Sequence, residues 1–229
     1  MNNKQLMIGM AKALKPMLDR FVFVGGCAVD YLIDDSAVTS TRVTGDVDVI
    51  AEIATRHEYY AVIDELKSLG FAEVMPTEEE PTPICRMQYE NMILDVMPTD
   101  ADVLGFSNPW YLPAVQNSST VELEAGLVIR LVSPVYFIAT KLTAFRTRGQ
   151  SEPYSHDFED IITVINGNSR IIEEIQSSDS KVKEYLRSEF NKLLSIRGFK
   201  SDYIAGNLVG EPAGRNDIVC QRILDFIGD

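Results

Sequence analysis

The chain has 229 residues, 45% of them hydrophobic, enough to bury a sizeable core in one large domain or two small ones. Its formal net charge of −13 excludes a broadly basic surface for coating nucleic acid. The three cysteines, Cys27, Cys85 and Cys220, form no CxxC or Cys/His cluster, so neither a disulfide framework nor a zinc site is expected.

The predicted elements run as follows. Leu6, Met7, Met10, Leu14, Met17 and Leu18 recur at helical spacing and predict an amphipathic helix over 3–19. The N-terminal stretch lacks the apolar core of a signal peptide, and no apolar run approaches the ~20 residues of a membrane span, so a cytoplasmic protein is expected. Phe21–Val24 reads as a short buried strand, Gly25-Gly26 as a turn, Cys27–Ile33 as a helix and Asp46–Ala51 as a strand. A helix over 55–69 ends at Gly70, a suitable C-cap. Phe71–Met75 and Ile84–Tyr89 read as strands around "PTEEEPTP", whose triple glutamate suits a solvated loop. Asn91 turns the chain into the strand Met92–Met97. Residues 98–117, rich in proline, are irregular or briefly helical, and Val121–Leu123 with Leu127–Leu131 predict a hairpin.

The character changes after Ser133-Pro134, a helix start with serine as N-cap and proline at the first helical position. That helix stops at Gly149, and the remainder reads as helices, with an apolar stripe of Val182, Tyr185, Leu186, Phe190, Leu193 and Leu194. An α/β part over 1–132 and a helical part over 133–229 are therefore expected. Their charges differ: 9 Lys/Arg against 20 Asp/Glu in the first, 12 against 14 in the second.

Side chains alternate between faces along a strand, so Asp46 and Asp48 share one face while Val47 and Val49 take the other. Two like charges at that separation need compensation, and a hard divalent cation such as Mg²⁺ supplies it. Asp95 lies inside the otherwise apolar "NMILDVMP", where an ionised carboxylate requires a partner or a metal. Three carboxylates around one cleft suit two metal ions and an in-line phosphoryl displacement. Upstream, a strand, a glycine turn and a helix start form a phosphate-binding arrangement, and Gly25 and Gly26 let phosphate oxygens approach the backbone.

Val24-Gly25-Gly26-Cys27, then Gly45-Asp46-Val47-Asp48, then Leu94-Asp95-Val96 resemble the polymerase-β-type nucleotidyltransferase superfamily. The resemblance implies a mixed sheet with flanking helices, followed by a C-terminal helical domain that completes the nucleotide and acceptor cleft. It implies that Asp46 and Asp48 hold the metal-bound nucleoside triphosphate (NTP) and that Asp95 completes the metal site for the acceptor hydroxyl. "KLTAFRTRGQSEPYSHDFEDI" resembles the downstream motif of the AbiEii-like nucleotidyltransferases, toxins of type IV toxin–antitoxin systems. Lys141, Ala144 and Arg148 match its Lys-x-x-Ala-x-x-x-Arg. His156, Asp157, Asp160 and Ile161 match its Arg-Asp-x-x-Asp-Leu/Ile, with His156 where arginine is usual. The resemblance covers 21–165.

Lys141 and Arg148, seven residues apart, share a helix face and are candidates to meet a triphosphate. Asp157 is a candidate to position Lys141 or the acceptor, with helix N-capping near Ser155-His156 as the alternative. Cys27 stands where serine is usual; a thiol is a weaker donor to phosphate, and free cysteine is commonly a small core residue. The expected activity is transfer of a nucleoside monophosphate from NTP to an acceptor hydroxyl, with Mg²⁺ or Mn²⁺ as cofactor and pyrophosphate as product. The resemblance implies an RNA acceptor such as tRNA and an antitoxin protein partner. Two alternatives stay open: transfer to a small molecule of aminoglycoside type, which an acidic surface suits, and a non-catalytic member that binds a nucleotide or a partner.

Overall fold

The computed structural model describes residues 1–39, 41–75, 83–148 and 151–228. The triple glutamate 78–80 and the helix stop expected at Gly149 lie outside the described residues. The chain divides into two compact units: residues 1–28 with 43–133, and residues 29–42 with 134–229.

The first unit opens with α1 (Asn3–Ala13), started by a capping box between Asn2 and Gln5. The helix is shorter than its apolar spacing suggests. Pro16, at the head of a 3₁₀ segment over Lys15–Arg20, breaks the α-helical ladder because it lacks an N–H and crowds the preceding turn. Then come β1 (Phe21–Val24) and a 3₁₀ turn over Gly26–Ala28. After the segment that joins the second unit follow β2 (Asp46–Ala51) and α3 (Arg56–Ser68). The latter has a Thr55/Glu58 capping box, and Gly70 follows it at φ 96°. The small strand β3 (Ala72–Glu73) and β4 (Arg86–Tyr89) are both shorter than expected. Phe71 leaves the ladder and packs its ring on Tyr89, with centroids 4.9 Å apart. The unit continues through β5 (Met92–Pro98), α4 (Ala101–Leu104) and α5 (Tyr111–Gln116). It closes with the hairpin β6 (Ser119–Glu124) and β7 (Leu127–Leu131).

These strands form one mixed sheet in the order β3-β4-β5-β2-β1-β7-β6. β2 lies antiparallel to β1 and parallel to β5, so it occupies the middle of the sheet. All four residues of β1 are buried, as a continuous apolar run in a central strand must be. β2 alternates instead: Val47 and Val49 are fully buried, whereas Asp46 and Asp48 are partly exposed on the opposite face.

The second unit comprises α2 (Val29–Leu32), α6 (Pro134–Thr147), α7 (His156–Gly167), α8 (Ile171–Ser177), α9 (Ser180–Leu194) and α10 (Arg215–Ile227). A π-helical turn over Phe199–Ile204 precedes a 3₁₀ turn over Ala205–Leu208. Phe145, Phe158, Phe199 and Tyr203 form an aromatic cluster, and Phe190 meets Phe226 edge-on at 5.0 Å.

Residues 29–42 belong to this unit because polar groups tie them to α7. The amides of Asp34 and Asp35 both donate to the Gly167 carbonyl. The buried guanidinium of Arg215 donates to Asp35 at 2.6 Å and to the Asn166 side chain at 2.6 Å. Ile33 lies so close to Gly167 that a Cβ there would stand 2.7 Å from its Cγ2.

Candidate active site

Antiparallel pairing of β1 and β2 sets Val24 opposite Asp48. The next residue, Gly25, takes φ +71°, and a Cβ on it would stand 1.8 Å from Asp48 Oδ2. Glycine is therefore required twice, by the left-handed backbone and by the carboxylate. Gly26 follows, buried, at the start of the 3₁₀ turn, with the Ala28 amide donating to the Gly25 carbonyl at 3.1 Å.

Parallel pairing of β2 and β5 sets Asp48 beside Asp95 and Asp46 beside Ile93. Paired residues of neighbouring strands share a face, so Asp46, Asp48 and Asp95 come together on one side of the sheet. Asp95 is 4% exposed. Its partner is Arg86, which spacing in the sequence did not bring out. Arg86 donates Nε and Nη2 to the two oxygens of Asp95 at 2.8 and 2.7 Å, and Nη2 also reaches Asp46 at 2.8 Å. The hydrogen bonds to Asp95, outweighing desolvation, raise the guanidinium pKa further above its already high value. A signal for Arg86 existed. Glu90, at φ 53°, and Asn91 make a tight turn between β4 and β5, and counting back from it pairs Tyr89 with Met92 and Arg86 with Asp95.

Cys27 is fully buried, and its thiol points to the Asn3 carbonyl at 3.8 Å. The buried side chain of Asn3 accepts from the Thr44 amide at 3.0 Å, and the Thr44 hydroxyl donates to Asp46 at 2.7 Å. The start of α1 thus braces the glycine turn and the approach to β2 together.

In the second unit, α6 and α7 face each other with opposite charges. Lys141 Nζ stands 3.0 Å from Asp157 and 2.7 Å from Asp160, all three side chains under 10% exposed. Arg148 donates to both Asp157 oxygens at 3.0 Å while its side chain stays 69% exposed. Arg42 donates to both Asp160 oxygens at 3.3 and 3.1 Å. The i, i+3 spacing places both carboxylates on the face of α7 that meets α6. Burial by itself raises the pKa of Asp157, but hydrogen bonds and charge from Arg148 and Lys141 outweigh it and hold the carboxyl below its ordinary value. Ser155, not Asp157, caps α7, accepting from the Phe158 amide. Arg146 turns away to Glu189 at 2.8 Å, and His156 is exposed, 3.4 Å from Glu159.

The donor set for a cation is mixed. Asp46 and Asp48 present hard oxygens on a partly open face beside a bare glycine backbone, which fits a divalent ion. Asp95 fits less well, since both its oxygens already accept from Arg86. Among the described residues no group of three or more His, Cys, Asp or Glu stands where it could hold a metal.

A family model described as "Nucleotidyl transferase AbiEii toxin, Type IV TA system" matches residues 10–202. It extends past the motifs at both ends, into α1 and beyond α9. No curated protein matches the chain. Among solved structures, an antigenic nucleotidyltransferase-like protein from Paracoccidioides brasiliensis is similar, with a TM-score of 0.52 and 19% identity over 92% of this chain and 93% of that one. At that identity the likeness speaks for the fold, a nucleotidyltransferase-like sheet with flanking helices. The family model spans most of the chain, including both the glycine–aspartate face and the Lys141 network. The chain belongs to the AbiEii family of nucleotidyltransferases, toxins of type IV toxin–antitoxin systems.

Proposed function

We propose that the protein is a divalent-metal-dependent nucleotidyltransferase that moves a nucleoside monophosphate from NTP to the hydroxyl of an RNA acceptor such as tRNA. The observation that carries this reading is the placement of Gly25 against Asp48, with Asp46 and Asp95 on the same face. A bare backbone beside carboxylates suits a triphosphate that arrives with its cation. When bound, Mg²⁺ or Mn²⁺ would neutralise phosphate charge and favour an attacking oxygen.

Each residue then has a task. Gly25 and Gly26 let the phosphate chain approach main-chain amides. Asp46 and Asp48 hold the divalent cation, and Asp95 completes the acidic face. Lys141 and Arg148 compensate phosphate charge, Arg148 being the more exposed cation of the two. Asp157 orients both by accepting from each. Cys27 contributes packing and its backbone amide, not its thiol. Residues 1–132, apart from 29–42, act as the catalytic α/β part, and 133–229, joined by 29–42, as the helical part that serves nucleotide and acceptor.

The family description supports a cognate antitoxin as partner. No helix among the described residues is long and apolar enough to cross a membrane, in keeping with a cytoplasmic enzyme. The acidic first part keeps one rival acceptor in view, a cationic aminoglycoside.

The test is incubation of the protein with each labelled NTP, Mg²⁺, and total tRNA or aminoglycosides. Label is expected in the tRNA fraction. Label in an aminoglycoside alone would replace the acceptor. No transfer to any acceptor, with no Mg²⁺-dependent NTP binding, would overturn the reading.

A further inference from the structure

We infer that the Arg86 guanidinium takes the place of a second cation, so that the protein alone binds one divalent ion, at Asp46 and Asp48, and not two. The inference rests on the metal-dependent reading above and concerns how the acidic face is divided. Asp95 is buried and gives both oxygens to Arg86 in a fork-to-fork pair. Such a pair is geometrically specific and strong, which removes Asp95 from any ligand set. The same guanidinium reaches only one oxygen of Asp46; the other accepts from the neutral, rotatable Thr44 hydroxyl and keeps a lone pair for a cation.

Charge gives the same division. Three carboxylates and one guanidinium leave two negative charges, which a single divalent ion neutralises. Arg86 is a positioning residue in this arrangement. It gives the buried Asp95 a two-pronged partner in an apolar strand, where an unpaired carboxylate would be costly. It also anchors one oxygen of Asp46 on the β5 side of β2. Arginine suits the position because its charge is permanent and its planar fork matches a carboxylate.

The experiment measures Mn²⁺ binding by electron paramagnetic resonance, with Mn²⁺ alone as the probe, and checks each variant's folding by thermal denaturation. The wild-type protein is expected to bind one ion, and Asp48→Asn to lose it. Arg86→Gln, which takes the guanidinium from Asp95 and Asp46, is expected to bind a second ion or to bind about tenfold more tightly. That variant strands Asp95 and is open to misfolding, so the decisive one is Arg86→Gln with Asp95→Asn. The double replacement keeps the net charge and is expected to bind one Mn²⁺ within about threefold of wild type. Two ions in the wild type, or loss of binding in the folded double variant, would overturn the inference while leaving metal dependence intact. No Mn²⁺ bound by any of the proteins would instead remove the metal-dependent reading itself.

Discussion

Gly25 and Asp48 are so close that no side chain can be added between them: a Cβ on Gly25 would stand 1.8 Å from Asp48 Oδ2. Residues more than twenty positions apart become one structure because β1 and β2 pair with Val24 opposite Asp48. Replacement of Gly25 by alanine therefore adds two penalties, a strained backbone at φ +71° and a displaced carboxylate. Gly25→Ala is expected to lower transfer by about a hundredfold or more, as misplacement of a reacting group by about an ångström does. Steady-state kinetics with labelled NTP check it, alongside a circular dichroism spectrum close to wild type.

Lys141 is expected to carry stability and activity together. Lys141 is buried between Asp157 and Asp160, so Lys141→Ala leaves buried carboxylates without their shared cation. A loss of about 3–5 kcal/mol in urea unfolding is expected, together with loss of transfer.

Arg148 is the cleaner probe. Its side chain is 69% exposed, so Arg148→Ala is expected to cost at most about 1 kcal/mol of stability. Its effect should fall on KM for NTP, which a titration of rate against NTP concentration would read.

Asp157 makes stability depend on acid. Its folded pKa lies below the ordinary 3.8 because Arg148 and Lys141 outweigh the opposing effect of burial. A carboxyl with a depressed folded pKa contributes stability that is present above the unfolded value and lost as pH falls through the folded value. The urea midpoint should therefore drop as pH falls below about 4, and Asp157→Asn should show a shallower drop in the same window.

Cys27, where the resemblance implies a serine, is expected not to bind phosphate through its thiol. Its thiol is fully buried against the Asn3 carbonyl. Cys27→Ser is expected to leave KM for NTP unchanged within about twofold, since a hydroxyl there would be spent on Asn3. In native protein, a thiol reagent should modify Cys220, which is partly exposed, before Cys27 or Cys85, both buried. Desolvation, helped by the charges of Asp95 and Asp48, raises the Cys85 thiol to about 12, which further suppresses its thiolate.

Much of this was legible in short-range pattern. Alternation in "DVDVIA" put both aspartates on one face, and the structure leaves that face partly open. The spacing of Lys141 and Arg148 predicted one shared face, and both reach Asp157, Lys141 from α6 and Arg148 from just past its end. Local chemistry also explains the misjudged lengths: Pro16 shortens α1, and the packing of Phe71 on Tyr89 shortens β3.

What the sequence by itself determined was the residue chemistry and the local faces: bare glycines, paired carboxylates, a helix with two cations, and the family motif that joins them. Period-2 and period-3.6 patterns encode such faces directly, because a side chain's direction follows from its neighbours along the chain. Only the tertiary structure decided which faces share a partner. Strand order placed Arg86 of β4 across Asp95 and within reach of Asp46, and packing of α2 on α7 drew Arg42 to Asp160. Those pairings depend on hydrogen-bonded register and on the contacts of distant segments. They gave buried Asp95 and Asp160 a guanidinium each, and they left Asp48 beside Gly25 on a partly open face.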